Sequence, residues 1–238
     1  MPRARRSSGD LELPSFASVP RPGGGPRLLV RLPERDARAY GALVGAAVPA
    51  IETSLGPGVV GNRALPGSGV RLEPLGAARA RRRAALRALL TPPRVRAVLV
   101  LDVADFYPSV SPDVVERALR SAGAGDVARA LGRLLRSLSE RGVRGLPVGP
   151  DPSAVLANAV LAPLDRALRG AGLRHLRWVD DVLAPAEDAS SARRGLDLAL
   201  RALDGLGLAP NPRKSRILLE PEEVRRLAER AAASGPRP

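Results

Sequence analysis

The chain has 238 residues, enough for a sizeable hydrophobic core but fewer than two average domains need. Lys and Arg outnumber Asp and Glu by 38 to 24, a formal net charge of +14, which points to a polyanionic partner rather than an ordinary metabolite. Cysteine is absent and His175 is the one histidine, which excludes disulfides, thiolate zinc sites, thiol catalysis and His-rich metal sites. No apolar run approaches the roughly 18 residues of a membrane span, and the basic N-terminus has no apolar stretch behind it. The expectation is a cytoplasmic chain that meets nucleic acid and no membrane.

In chain order, residues 1–26 are rich in Arg, Pro, Ser and Gly and read as loosely structured, with Arg3, Arg5 and Arg6 in a disordered tail. Pro20–Pro26 reads as a turn, and Arg27–Leu32 as a short strand. Ala39, Leu43, Ala47 and Ile51 recur at helical spacing and predict a helix over 35–55. A Gly- and Pro-broken loop covers 56–69, and a very basic helix follows over 76–90. Val95–Val103 is a continuous β-branched and aliphatic run, which predicts a buried strand.

Ser111-Pro112 is a cap followed by proline, and starts a helix. Val127, Leu131, Leu134, Leu135 and Leu138 mark the inner face of another over 125–140. Asp151-Pro152 repeats the cap signal and opens a helix through about Leu168. Leu176–Val179 and Val182–Ala184 flank an Asp pair and predict a hairpin. A helix over 189–206 with Leu196, Leu200 and Leu203 inward, a strand at Lys214–Leu219 and a last helix from Pro221 complete the chain. This order predicts an α+β fold, with helices on one face of an antiparallel sheet.

Four segments carry candidate chemistry. Leu101–Val110 places Asp102 at the end of a buried strand, where a carboxylate is costly unless paired or bound to metal; Asp102 or Asp105 could equally cap a turn. Asp180 and Asp181 are adjacent carboxylates between apolar strands; they either face water in a turn or gather a cation, with Asp180 the main ligand. Converging carboxylates without His or Cys select Mg²⁺ or Mn²⁺, and hard metals beside a basic surface suggest phosphoryl transfer on nucleic acid. Gly145–Ser153 is a Gly/Pro loop entering a helix, either a ligand cradle or plain scaffolding. Lys214 is the single lysine among 37 arginines (38 − 1 = 37), and Lys, unlike Arg, can release a proton near neutrality.

In this order and spacing the four segments resemble motifs A, B, C and D of the reverse transcriptases. Leu101–Val110 is similar to motif A, Gly145–Asn158 to motif B, Trp178-Val-Asp-Asp181 to the Tyr-x-Asp-Asp box of motif C, and Leu206–Ser215 to motif D. Upstream, Val19–Arg27 resembles the fingers segment Pro-Lys-Pro-Gly-Gly-x-Arg. The resemblance implies right-hand fingers and palm, the palm built on a ferredoxin-like antiparallel sheet. Fingers with a flexible basic tail would occupy 1–94, and the palm 95–220 with a helical fingers insertion at about 111–144. A short helix and tail would occupy 221–238, leaving the thumb minimal or absent, so that a protein partner or oligomer would supply one.

The resemblance implies RNA-directed addition of dNTPs to a DNA or RNA primer on an RNA template. Asp102, Asp180 and Asp181 would hold two Mg²⁺ ions, or Mn²⁺, with the Val103 carbonyl as a backbone ligand. Lys214 would protonate pyrophosphate. Arg21 and Arg27 would clamp the triphosphate, Asp105 and Phe106 would lie along it, and Tyr107 would exclude a 2′-hydroxyl. Val148 and Gly149 would line the nucleotide; Ser153 and Trp178 would meet nucleic acid, Trp178 either stacking on a base or packing on the sheet. Arg79, Arg82 and Arg83 would track the template or primer backbone, unless they form only a solvated face.

Two motif positions depart from the pattern. Trp178 replaces the usual motif C tyrosine, and Val148 replaces the glutamine that follows Leu-Pro in many relatives. The Gly-Leu-Pro-Val-Gly-Pro form instead resembles defence-associated bacterial enzymes of the abortive-infection and unknown-group type, which implies antiphage defence. Template-independent DNA synthesis by the same site and a non-catalytic palm-like binding subunit are the alternatives. His175 reads as a surface residue.

Overall fold

The computed structural model describes residues 12–21, 24–67, 69–91 and 94–233. Arg3, Arg5 and Arg6 of the expected tail, and Pro22 and Gly23 of the expected turn, lie outside them.

The chain opens with a hairpin of β1 (Ser15–Arg21) and β2 (Gly24–Arg31), an antiparallel sheet of its own. Strands β1 and β2 correct the loose and turn readings for residues 15–21 and 24–26. The β1 sequence, Ser-Phe-Ala-Ser-Val, lacks a clean period-2 pattern, so the strand is defined by pairing with β2, Phe16 opposite Val30 and Val19 opposite Arg27. Helix α1 (Glu34–Ser54) follows, with Tyr40, Val44, Ala47, Val48 and Ile51 buried. The buried face is turned from the expected one: Ala39 is exposed and Leu43 half-buried, because Tyr40 supplies the anchor. Helix α2 (Leu75–Leu90) carries the basic run.

The second sheet has the order β4-β5-β3-β6, every pair antiparallel. Its centre is β3 (Ala97–Leu101), flanked by β5 (Asp181–Ala186) and β6 (Arg216–Leu218), with β4 (Leu176–Trp178) outside β5. Ala97, Leu99 and Leu101 face the main core, while Val98 joins Leu86, Leu89, Leu176 and Leu218 in a second cluster under α2. Burial on both faces explains why the β3 sequence is apolar throughout rather than alternating.

Helix α3 (Phe106–Ser109) is a single turn after β3. Helix α4 (Pro112–Ala122) starts as expected: the Val114 backbone N–H donates to Ser111 Oγ, and Gly123 ends it at φ +91°. Helix α5 (Gly125–Glu140) packs on α4. The single helix expected from Asp151 is two, α6 (Asp151–Val160) and α7 (Ala162–Gly170), broken at Leu161 because Pro163 has no N–H to continue the ladder. The residue flanking α6 is Pro150, and the Asp151 side chain caps nothing.

Helix α8 (Ala189–Asp204) lies on the sheet through Ala192, Gly195, Ala199 and Leu203. Leu196 and Leu200, expected inward, are only half-buried, since the small residues bring the backbone nearest the sheet. A Cβ on Gly195 would meet Leu173 Cδ1 at 2.2 Å. Helix α9 (Pro221–Ala233) packs against α2. Among the described residues no helix is long and apolar enough to cross a membrane.

Candidate active site

The ladder between β3 and β5 ends with Leu101 opposite Val182. The next residues outward are Asp102 and Asp181, so antiparallel register brings these two carboxylates together. Asp102 is buried, 5% exposed. Its Oδ1 accepts from Lys214 Nζ at 3.0 Å and its Oδ2 from Asn211 Nδ2 at 2.8 Å. The Asn211 N–H donates to the Asp102 carbonyl at 2.7 Å, and the Asp102 N–H to Ser215 Oγ at 3.2 Å. The turn before β6 is therefore fastened to the end of β3 at several points. Val103 is buried beside it and bridges to Pro210.

Asp180 and Asp181 close the β4–β5 hairpin. Burial, opposed by a hydrogen bond to its own backbone and reinforced by the charges of Asp181 and Asp102, pushes the Asp180 carboxyl up to about 6, against the pull of Lys214. Burial and then hydrogen-bonding contact with Asp102 raise Asp181 as well, with Arg82 and Lys214 opposing. Asp102, Asp180, Asp181 and Lys214 thus form one electrostatic cluster. Among the described residues no three carboxylate or imidazole groups make a ready-made cage, so the cluster is open. Its all-oxygen donors and mutual repulsion fit a hard divalent cation.

Tyr107 borders this cluster. Burial first, then the Asp180 charge, lifts its hydroxyl to about 12, while Arg27 and a hydrogen bond with Asn62 oppose. The Arg27 charge, on β2, thus acts on the Tyr107 hydroxyl. The Arg21 side chain lies outside the description. Asp105 is exposed at φ +40°, but the Phe106 ring is buried edge-on to Tyr107 at 5.4 Å between centroids. Its side chain cannot lie along a triphosphate, a correction caused by its place in the main core.

The motif B loop meets the hairpin through Val148, whose carbonyl accepts from the Val30 N–H at 2.8 Å. Gly149 is exposed at φ +122°, a conformation that requires glycine. Ser153 corrects another expectation: it is fully buried, 2.9 Å from Tyr40 Oη, and holds α6 to α1 instead of touching nucleic acid. Trp178 is half-buried and packs in part on the second cluster, with the Arg82 guanidinium 5.2 Å over its ring, which fits the sheet-packing alternative. Arg79 is exposed and Arg83 half-buried on the same helix.

His175, read as a surface residue, is buried with Nε2 3.0 Å from Asp165 Oδ1. Sequence reasoning also missed Asn62, Asn158, Asn211 and Arg177. The signal was present: the chain has three asparagines, and all three bond to groups around the site.

Residues 19–228 match the family described as reverse transcriptase (RNA-dependent DNA polymerase). The chain belongs to the reverse transcriptase family. A relative is the retron Mx65 reverse transcriptase of Myxococcus xanthus, 34% identical over 140 residues that cover 51% of this chain and 33% of the relative. The chain spans about a third of that relative's length. A solved structure of telomerase from Candida albicans, in complex with a TWJ fragment of telomeric RNA, superposes with a TM-score of 0.56 at 12% identity. That match covers 89% of this chain and 42% of the other, and it supports the reverse transcriptase fingers and palm fold alone.

Proposed function

We propose that the chain is an RNA-directed DNA polymerase whose Asp102, Asp180 and Asp181 hold two divalent cations, Mg²⁺ in the first instance. The convergence of these three carboxylates with Lys214 at one end of the β3–β5 ladder carries the reading. The bound cations would supply activation of the primer 3′-hydroxyl and neutralisation of the leaving group. The 3′-oxygen attacks the α-phosphorus, the bond to the β-phosphate breaks, and pyrophosphate departs. Lys214 gives pyrophosphate its proton, and the 3′-hydroxyl proton passes to solvent. Arg27 pairs with the triphosphate, and Tyr107 closes the space a 2′-hydroxyl would need. Arg79, Arg82 and Arg83 face the nucleic-acid backbone. The template is RNA, and the setting is the bacterial cytoplasm in antiphage defence, as the motif B form implies.

Purified protein with Mg²⁺, labelled dNTPs and a primed RNA template tests this, beside the double variant Asp180→Ala/Asp181→Ala. Template-dependent incorporation lost in the variant is the expected result. Incorporation without template would make the chain an untemplated polymerase. No incorporation with Mg²⁺ or Mn²⁺ would make it a binding subunit.

A further inference from the structure

Arg177 lies on β4, three residues before Asp180, and is fully buried. Its Nε and Nη2 donate to the two carboxylate oxygens of Asp165 at 2.8 and 2.7 Å. Nη1 donates to Asn158 Oδ1 at 3.0 Å, and Nη2 to the Asn158 carbonyl at 3.3 Å. Nη1 also donates to the Val179 carbonyl at 3.0 Å. Val179 has φ +59°, a left-handed conformation that a β-branched residue adopts only when its surroundings impose it. The next residue is Asp180.

Asn158 carries the same network to the other side of the turn. Its Nδ2 donates to the carbonyls of Gly61 and Asn62 at 3.0 and 3.1 Å. A Cβ on Gly61 would meet the Val179 nitrogen at 2.9 Å, so glycine lets this loop run close against the strained residue. Asn62 in turn touches the Tyr107 hydroxyl. A pair that served stability alone would need only Asp165 and Arg177, and such pairs often add little net stability. Here the remaining edge of the guanidinium grips the one carbonyl in the turn that precedes the carboxylates.

We propose that Arg177 is a positioning residue: through the Val179 carbonyl it holds the turn that presents Asp180 and Asp181, and through Asn158 it fixes the loop bordering Tyr107. This rests on the cation-dependent polymerase reading above. Arg177→Lys keeps a charge for Asp165 but lacks the planar fork that reaches all three partners. It is expected to lower kcat for dNTP addition and to weaken Mn²⁺ binding by about 10–100-fold, the range for residues that orient metal ligands. Mn²⁺ binding is read by electron paramagnetic resonance on folded protein without nucleotide, and KM for dNTP should change less than kcat. Glycine takes the left-handed conformation unaided. Val179→Gly in the Arg177→Lys background therefore restores most of both losses, a rescue that a merely structural salt bridge would not give.

Should Arg177→Lys fail to fold, Asn158→Ser removes one Arg177 acceptor and both loop contacts, with the same pattern and the same Val179→Gly rescue expected. Wild-type Mn²⁺ affinity and kcat in the folded variants, or a deficit that Val179→Gly leaves untouched, would overturn the proposal. A wild-type chain that binds Mn²⁺ but incorporates nothing defeats the polymerase reading alone, and the Mn²⁺ titrations then decide on Arg177. A wild-type chain that binds no Mn²⁺ defeats both.

Discussion

Lys214 Nζ stands 3.0 Å from Asp102 Oδ1, so the one lysine of the chain is ion-paired to the carboxylate at the end of the central strand. The lysine side chain is 59% exposed while the Asp102 side chain is only 7% exposed, so solvent screens one end of the pair and its contribution is on the order of 1 kcal/mol. On the polymerase reading proposed above, its part is in the chemistry. Lys214→Ala should leave the thermal midpoint nearly unchanged and lower kcat by about 10²-fold, the scale of a lost general acid. Lys214→Arg should keep the ion pair without recovering the rate, because guanidinium does not release its proton. Steady-state kinetics beside thermal melts checks both.

Asp165 gives the chain a pH dependence on the acid side. Burial would raise its carboxyl, but the Arg177 charge and the hydrogen bonds from His175 and Arg177 outweigh burial and hold it below the ordinary range. Its folded value thus lies below the unfolded value of about 3.9. The stabilisation is complete above about pH 4 and is lost as the pH falls through the folded value. Asp165→Asn strands Arg177 as a buried unpaired cation, at a cost of about 3–5 kcal/mol. Urea unfolding of the variant at neutral pH should register that loss, and its stability should vary less at acid pH than the wild type's.

The features legible in the sequence are the ones written in local pattern. The β3 run, the Ser111 cap and the Asp180–Asp181 hairpin each need only a few neighbouring residues to read, and each is present, though β3 is shorter at Ala97–Leu101 and Asp181 already belongs to β5. What escaped depends on partners far along the chain. His175 is buried because Asp165 waits for it, and Ser153 because Tyr40 of α1 does. On α8, Leu203 is buried as its pattern predicts, but Leu196 and Leu200 yield the inner face to Ala192, Gly195 and Ala199, because a larger side chain at Gly195 would run into Leu173. The asparagines were readable by the same scarcity argument that singled out Lys214.

The α8 contact is open to a direct test. Gly195→Ala would set a methyl 2.2 Å from Leu173 Cδ1, and Leu99 Cδ2 lies 3.8 Å away on the sheet. The helix propensity of alanine favours the variant by about 1 kcal/mol, while overpacking costs about 1–3 kcal/mol. Leu173 is buried in the same core and has little room to turn away. A net destabilisation in urea unfolding is expected. A more stable variant would mean that Leu173 swings clear.

Tyr107 sets the expected choice of sugar. Its hydroxyl lies among Asp180, Arg27 and Asn62, while Phe106 supports its ring edge-on from the core. On the polymerase reading proposed above, a ring held on these sides leaves no room for an added 2′-hydroxyl. Tyr107→Val removes the ring and opens that space. The ratio of kcat/KM for dNTP over NTP should fall by about 10²-fold, mostly through a gain with NTP, since relieving a steric clash restores transition-state binding. Single-nucleotide extension of a primed RNA template with dNTP and NTP in parallel measures it. An unchanged ratio would show that the 2′-hydroxyl is excluded elsewhere in the site.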